Sequence, residues 1–271
     1  MDTTEIIQEW LYGKPLSTQA AYLRDVSQLL TFLHDKPLET ITLRDLQRWQ
    51  TDLLELHTKP ATVARKASAI RGLLRHAARQ GHIERNPAID LPSPTTHWRV
   101  HEKVVSREQM LAIIEAAAPG RDRALIRLLY CTAARVSEIC NLLWKDCTPT
   151  TVGGATIHLL GKRQKWRVAQ APPSVWLPVQ QLRGDVPSDA PVFGGIKRQR
   201  VGQIVKAAAI AAGAPEWFSP HKVRHCTATH LSEAGCPLPI VQDLLGHERP
   251  ETTLIYARSS QSAAAIDYLS W

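Results

Sequence analysis

The chain is short of aromatic side chains, which make up 6% of its 271 residues, with three phenylalanines and two methionines. Its five cysteines (Cys131, Cys140, Cys147, Cys226 and Cys236) are odd in number and show no C-x-x-C spacing. That excludes a disulfide scaffold and points to buried thiols in a reducing compartment. No apolar run approaches the roughly 18 residues that a membrane span needs, so no membrane partner is expected. The opening MDTTEIIQEW is acidic and polar, unlike a secretory signal, and a cytoplasmic location is expected. Acid is also scarce: 25 Asp and Glu face 33 Lys and Arg, a net charge of +8. Internal clusters rather than a tail carry the excess, as in a protein that binds a polyanion. With 44% hydrophobic and 21% charged residues, the chain is an ordinary globular one, long enough for one large domain or two modest ones.

Residues 1–15 read as a weakly ordered lead-in. From Ser17, apolar residues recur at helical spacing (Tyr22, Val26, Leu29, Leu33), and the helix should stop before Pro37. Thr42 with Asp45 three residues on is a capping box for a helix that buries Leu43, Leu46 and Leu53. A third helix runs from about Ala61 to Ala77, with Gly81 as a C-terminal cap. This segment carries Arg65, Lys66, Arg71, Arg75 and Arg79 and no acid. A single-sign helix face is a candidate phosphate contact, and a solvated surface is the plainer alternative. Prolines and threonines then break the periodicity. The expected organisation is a helical domain over 1–90, a linker over 91–104 and a second domain over 105–271. In the second part, helices are expected from Ser106, through DRALIRLLYCTA and RVSEICNLL, and at 197–212, 221–234 and about 239–245. Between them, ATIHLL and WRVAQA flank GKRQK and read as two short strands joined by a basic turn.

The densest cluster of chemically capable residues is HKVRHCTATH (221–230), followed by LLGH and LIYARS. His221 and His225 share a helix face, but Lys222 stands where a metalloprotease motif needs Glu, and no further ligand sits at zinc spacing. No metal is expected. Gly161-Lys162 lacks the earlier glycine and the following Ser or Thr of a phosphate-binding loop. What remains is Arg135 in AARVSEI, Lys162 in the basic turn, His221 and Arg224 in H-x-x-R, His247 after Leu-Gly, and Tyr256 nine residues later.

That order and spacing resembles the tyrosine recombinase (phage integrase) family over residues of about 125–258, with a looser likeness of residues 17–90 to the family's helical core-binding domain. The resemblance implies a mainly α fold: a helical N-terminal core-binding domain plus a mostly helical catalytic domain with a small antiparallel β-sheet. It implies a site-specific DNA recombinase that cleaves and rejoins strands through a 3′-phosphotyrosine, without cofactor. A non-catalytic DNA-binding relative and a type IB topoisomerase-like activity are the alternatives. The chemistry suits the residue types. Two guanidiniums (Arg135 and Arg224) can stabilise the extra charge of a pentacoordinate phosphate, and a phenol (Tyr256) is both nucleophile and acceptable leaving group. The family assigns proton donation to the 5′ oxygen to Lys162, with Lys165 as runner-up. His221 serves as base or proton shuttle and His247 as a hydrogen-bond donor to the phosphate. The sequence departs from the family pattern with Ala133-Ala134 before the arginine, where Gly is common.

Two segments are candidates for reading DNA: the basic helix just described, and Lys197, Arg198, Gln199 and Arg200 at the start of 197–206. Arg can pair with guanine and Gln with adenine, while plain phosphate binding is the alternative. The implied partners are double-stranded DNA, three further copies of the chain in a synaptic homotetramer assembled from monomers, and accessory DNA-bending proteins. The location would be cytoplasmic, at the nucleoid. The apolar tail residues Ile266, Tyr268, Leu269 and Trp271 either dock on a neighbouring subunit or fold back on their own domain.

Overall fold

The computed structural model describes residues 2–94, 104–161 and 164–246. The expectations for Lys162, His247, Tyr256 and the apolar tail fall outside them. The chain divides into two compact units, Met1–Trp98 and Arg99–Trp271.

Among its described residues the first unit holds four α-helices: α1 (Thr3–Leu11), α2 (Leu16–Phe32), α3 (Leu43–Glu55) and α4 (Pro60–Arg79). α4 is central and packs against the other three. Its buried stripe (Val63, Ala67, Ile70, Leu73, Leu74, Ala77) has the period of a helix sunk on one side. The expectation of a loose lead-in over 1–15 is corrected here. Ile6, Ile7, Trp10 and Leu11 lie on one buried face of α1, and Trp10 stacks on Tyr22 with ring centroids 5.0 Å apart. Nine residues are too few to hold a helix alone, so the stability of α1 comes from docking, which local periodicity conveys poorly. The capping box of α3 forms as expected. Asp45 Oδ2 accepts from the Thr42 backbone N–H at 2.9 Å, the Thr42 hydroxyl at 2.8 Å and Lys36 Nζ at 2.6 Å.

The second unit runs α5 (Arg107–Ala116), α6 (Arg121–Thr132), α7 (Val136–Cys140), β1 (Cys147–Pro149), β2 (Ala155–Leu160), β3 (Trp166–Ala171), α8 (Pro173–Gln180), α9 (Arg198–Ala211), α10 (Pro220–Glu233) and α11 (Leu238–Leu245). The sheet is antiparallel in the order β1-β2-β3, with Ala155 opposite Ala171 and Leu160 opposite Trp166. Two strands were expected; β1 is three residues long, too short to alternate visibly. α8 was not expected either, because Pro178 inside it reads as a breaker. α6 is the core helix, packed against α5, α8, α10 and β3. His230 ties three elements together. Its Nε2–H donates to the Val105 carbonyl (2.9 Å), which leaves Nδ1 to accept from the Tyr130 hydroxyl (2.8 Å).

All five cysteines are unpaired with one another. Burial pushes the Cys131 thiol up to about 11 and the Cys147 thiol to about 12, so both stay protonated and unreactive at neutral pH. Among the described residues no helix is long and apolar enough to cross a membrane.

The Asp45 carboxyl is held at about 2, below its ordinary 3.8, first by the Lys36 hydrogen bond and then by the Thr42 backbone N–H. A depressed carboxyl stabilises the fold above its unfolded-state value and loses that contribution as pH falls through the folded one. Asp45→Asn should therefore cost about 1–2 kcal/mol at pH 7. In urea denaturation, the two chains should converge as pH drops from about 4 to about 2.

Candidate active site

The end of α6 begins the site. Its last turn closes on Ala133, whose φ of +48° puts a non-glycine residue in the left-handed region at a cost of about 1 kcal/mol. This is where the sequence has Ala in place of the common Gly. The turn re-aims the chain so that Arg135 becomes the N-cap of α7, and Glu138, one turn on, folds back onto it. Glu138 Oε2 accepts from the Arg135 backbone N–H at 2.8 Å, and Oε1 accepts from Arg135 Nη1 at 2.7 Å. A second guanidinium reaches the same carboxylate: Arg167 Nη2 donates to Glu138 Oε2 at 2.7 Å. The Glu138 side chain is 1% exposed, Arg167 8% and Arg135 29%. Burial works to raise the Glu138 carboxyl, but the Arg167 hydrogen bond and charge, with the Arg135 contacts, hold it below the usual range. It is an ionised buried carboxylate between two arginines.

α10 supplies the third guanidinium. Arg224, buried, donates from Nη1 to the Ala133 carbonyl at 2.5 Å and from Nη2 to the Leu245 carbonyl. Arg135 Nη2 makes longer contacts with the Leu245 and Gly246 carbonyls, 3.5 and 3.4 Å. Arg135 and Arg224 therefore meet at one peptide carbonyl at the end of α11. Those terminal carbonyls have no partners within their own helix, and Arg135, Arg224 and, through the Leu244 carbonyl, Arg167 cap it from the side. His221 stands in the first turn of α10, three residues before Arg224. Its Nε2 lies 3.0 Å from His225 Nε2, with the rings edge to face. One edge of His221 is open to solvent, yet partial desolvation, then the charges of Arg224, Lys222 and Arg135, hold the imidazole below its ordinary 6.5. It is neutral at pH 7.

The β2–β3 turn enters from the sheet. Gly161 N–H donates to the Lys165 carbonyl at 2.8 Å and closes it. A Cβ on Gly161 would lie 3.4 Å from Glu138 Oε1 and 3.7 Å from Arg135 Nη1. The tight contact would be with the Lys165 carbonyl oxygen, at 3.2 Å, so the glycine suits the closed turn itself, and Lys162 is the next residue in the chain. Arg135, Arg224 and His221 are thus brought together, with Gly161 of the β2–β3 turn next to the Arg135–Glu138 pair. The residue pattern read from the sequence includes neither Glu138 nor Arg167. A signal for Arg167 existed: it shares a strand face with Ala169 and Ala171, both buried, so a cation sits at an inward position of an alternating strand.

The candidate DNA-reading residues fall into two groups. Lys197, Arg198, Gln199 and Arg200 are all exposed at the start of α9. α9 packs against α7, the helix that Arg135 caps, and Arg198 is near enough for its charge to act on the Cys140 thiol. In the first unit, Arg65 and Lys66 both bind Asp25 of α2, whose side chain is 2% exposed; Arg65 Nη2 lies 2.8 Å and Lys66 Nζ 3.2 Å from Oδ1. The acid missing from α4 is supplied by its neighbour. Arg71 Nη2 donates to the Leu91 carbonyl (2.7 Å) and Ser93 Oγ (3.0 Å). Arg75 and Arg79 are exposed, and with Arg71 and Asn86 they line a groove of about 350 Å³. Among the described residues no three His, Cys, Asp or Glu side chains cluster as a metal site would require.

Comparison with known proteins places this geometry in a family. The profile of the phage integrase family matches residues 103–263, and that of the phage integrase N-terminal SAM-like domain matches 16–81. The chain is 31% identical to the tyrosine recombinase XerC of Mycobacterium leprae over 94% of its own length and 92% of that protein's. It is 32% identical to XerC of Mycobacterium tuberculosis, covering 90% and 88%. Its fold matches a lambda integrase (75-356) dimer bound to a COC′ core site, with TM-score 0.74, 18% identity and coverage of 94% and 95%. It also matches the XerH site-specific recombinase bound to a palindromic difH substrate, with TM-score 0.78, 20% identity and coverage of 94% and 81%. The buried carboxylate, the arginines around it and the histidine beside them are built on the scaffold of the phage integrase family of tyrosine recombinases, to which this chain belongs.

Proposed function

We infer that the protein is a site-specific DNA recombinase that cuts one strand through a covalent tyrosine–phosphate link and rejoins it to another. The observation that carries this reading is the meeting of Arg135 and Arg224 on the Leu245 carbonyl, with His221 in the next turn. Two permanently charged, planar groups converging on one oxygen acceptor suit a phosphate whose non-bridging oxygens gain charge in the transition state. The Tyr256 oxygen attacks phosphorus, the bond to the 5′ oxygen breaks, and that oxygen takes a proton from Lys162. His221, neutral at pH 7, accepts the phenolic proton, and His247 donates to the phosphate. The reverse sequence, with a 5′ hydroxyl as nucleophile, reseals the strand. The phosphotyrosine keeps the energy of the phosphoester, so resealing draws on no external energy source.

In this reading the second unit is the catalytic domain and the first the core-binding domain. The exposed start of α9, Lys197 to Arg200, reads bases or holds phosphates beside the scissile bond. Arg75 and Arg79 add phosphate contacts, with Arg71 helping to shape their groove. Arg65 and Lys66 contribute to the field of the domain while neutralising Asp25. DNA is the partner, and the chain assembles into multimers on it; a tetramer on two sites, aided by DNA-bending proteins at the nucleoid, is the form proposed for synapsis.

Incubation with a nicked suicide substrate should trap a covalent adduct that survives denaturing electrophoresis. Tyr256→Phe should abolish the adduct while gel-shift affinity persists, and a wild-type chain that forms none on its cognate site contradicts the reading. Arg198→Ala should weaken binding and, if Arg198 holds a phosphate, flatten the log–log salt slope by about 0.9. The single-turnover cleavage rate should stay level as pH falls from 8 to 6.5 and decline only below that, because His221 works as the neutral imidazole and its titration is displaced downward. Lys222→Gln should move that decline to higher pH.

A further inference from the structure

Resting on the recombinase reading above, we propose that Arg167 is a positioning residue for strand cleavage. It locks Glu138 in the orientation that aims Arg135, and it pins the end of α11, from which His247 and Tyr256 follow in the chain. Arg167 lies outside the residue pattern that carries the chemistry and is far less open than Arg135, with 8% of its side chain exposed against 29%. Arg135 is therefore the guanidinium available to a ligand, and Arg167 is internal to the support.

Its hydrogen bonds define what it supports. Nη2 donates to Glu138 Oε2 at 2.7 Å and lies 3.4 Å from the Ala133 carbonyl. Nη1 donates to the Thr132 carbonyl at 3.2 Å and to the Leu244 carbonyl. One planar group thus spans the end of α6, the carboxylate on α7 and the end of α11. With Arg167 on one side of Glu138 and Arg135 on the other, the carboxylate cannot rotate without breaking a charged hydrogen bond, so Arg135 Nη1 is fixed at 2.7 Å. A lysine could meet one or two of these acceptors as a point charge but could not span all of them at once.

The close approach to α11 has its own requirement. Gly246 takes φ +57°, and a Cβ there would fall 2.9 Å from Arg167 Cδ. The glycine that precedes His247 is therefore needed twice, for its left-handed backbone and for the room it leaves the Arg167 stem.

Single-turnover cleavage of the nicked suicide substrate, measured beside DNA affinity, tests the proposal. Arg167→Lys keeps a cation beside Glu138 and so protects the fold; its DNA affinity should stay within about threefold of wild type while the cleavage rate constant falls at least about tenfold. Placed in an Arg135→Lys chain, the same change should cost less than about threefold, because the aim it maintains has already been lost. Gly246→Ala, which displaces the stem, should reproduce the loss. A rate constant within about twofold of wild type, or losses that multiply independently in the two backgrounds, makes Arg167 an ordinary structural residue and overturns the proposal. A wild-type chain that forms no adduct overturns the recombinase reading itself, and this assignment with it.

Discussion

Glu138 is a carboxylate removed from water, and the site is organised around the need to compensate it. An ionised side chain with 1% exposure costs several kcal/mol to desolvate, and removing one partner of such a buried pair typically costs about 3–5 kcal/mol. Arg135 and Arg167 provide that compensation, one on each carboxylate oxygen, and the Arg135 backbone N–H completes it on Oε2. Because the carboxylate has so few alternatives, the two guanidiniums have few as well. In the reaction proposed above, a cation on a flexible side chain would lose rotamer freedom at each turnover, whereas the ordering of Arg135 is already complete in the folded chain.

The second constraint is the end of α11. Its last carbonyls lack helical partners and collect donors from Arg135, Arg167 and Arg224. Residues separated by nearly 90 positions are thereby gathered at the point where the chain runs on to His247 and Tyr256. A fold shared with lambda integrase and XerH at 18–20% identity fits this economy.

Much of this was legible in the sequence because it depends on local pattern. The Thr42–Asp45 capping box, the ATIHLL and WRVAQA strands and the Ser106 cap each announce themselves within a few residues, and each forms. The ordered arginines and histidine that meet in space were readable only as a joint spacing. What escaped depends on partners distant in sequence. α1 is short and is held by Trp10 against Tyr22 and by docking on α4. The basic face of α4 seemed uncompensated because its acid, Asp25, lies on α2. Arg167 stands at an inward position of its strand, but nothing adjacent to it in the chain identifies Glu138, 29 residues earlier, as its partner.

We infer that Arg135, held by Glu138, and Arg224, which meets it at the Leu245 carbonyl, form a preset cradle for one DNA phosphate. A structure of the chain on DNA carrying its scissile phosphate tests this most directly. The account predicts Arg135 and Arg224 donating to the non-bridging oxygens at about 3 Å, with both Glu138 ion pairs intact. A phosphate bound out of reach of those guanidiniums, or an Arg135 that must abandon Glu138 to touch it, would contradict the account.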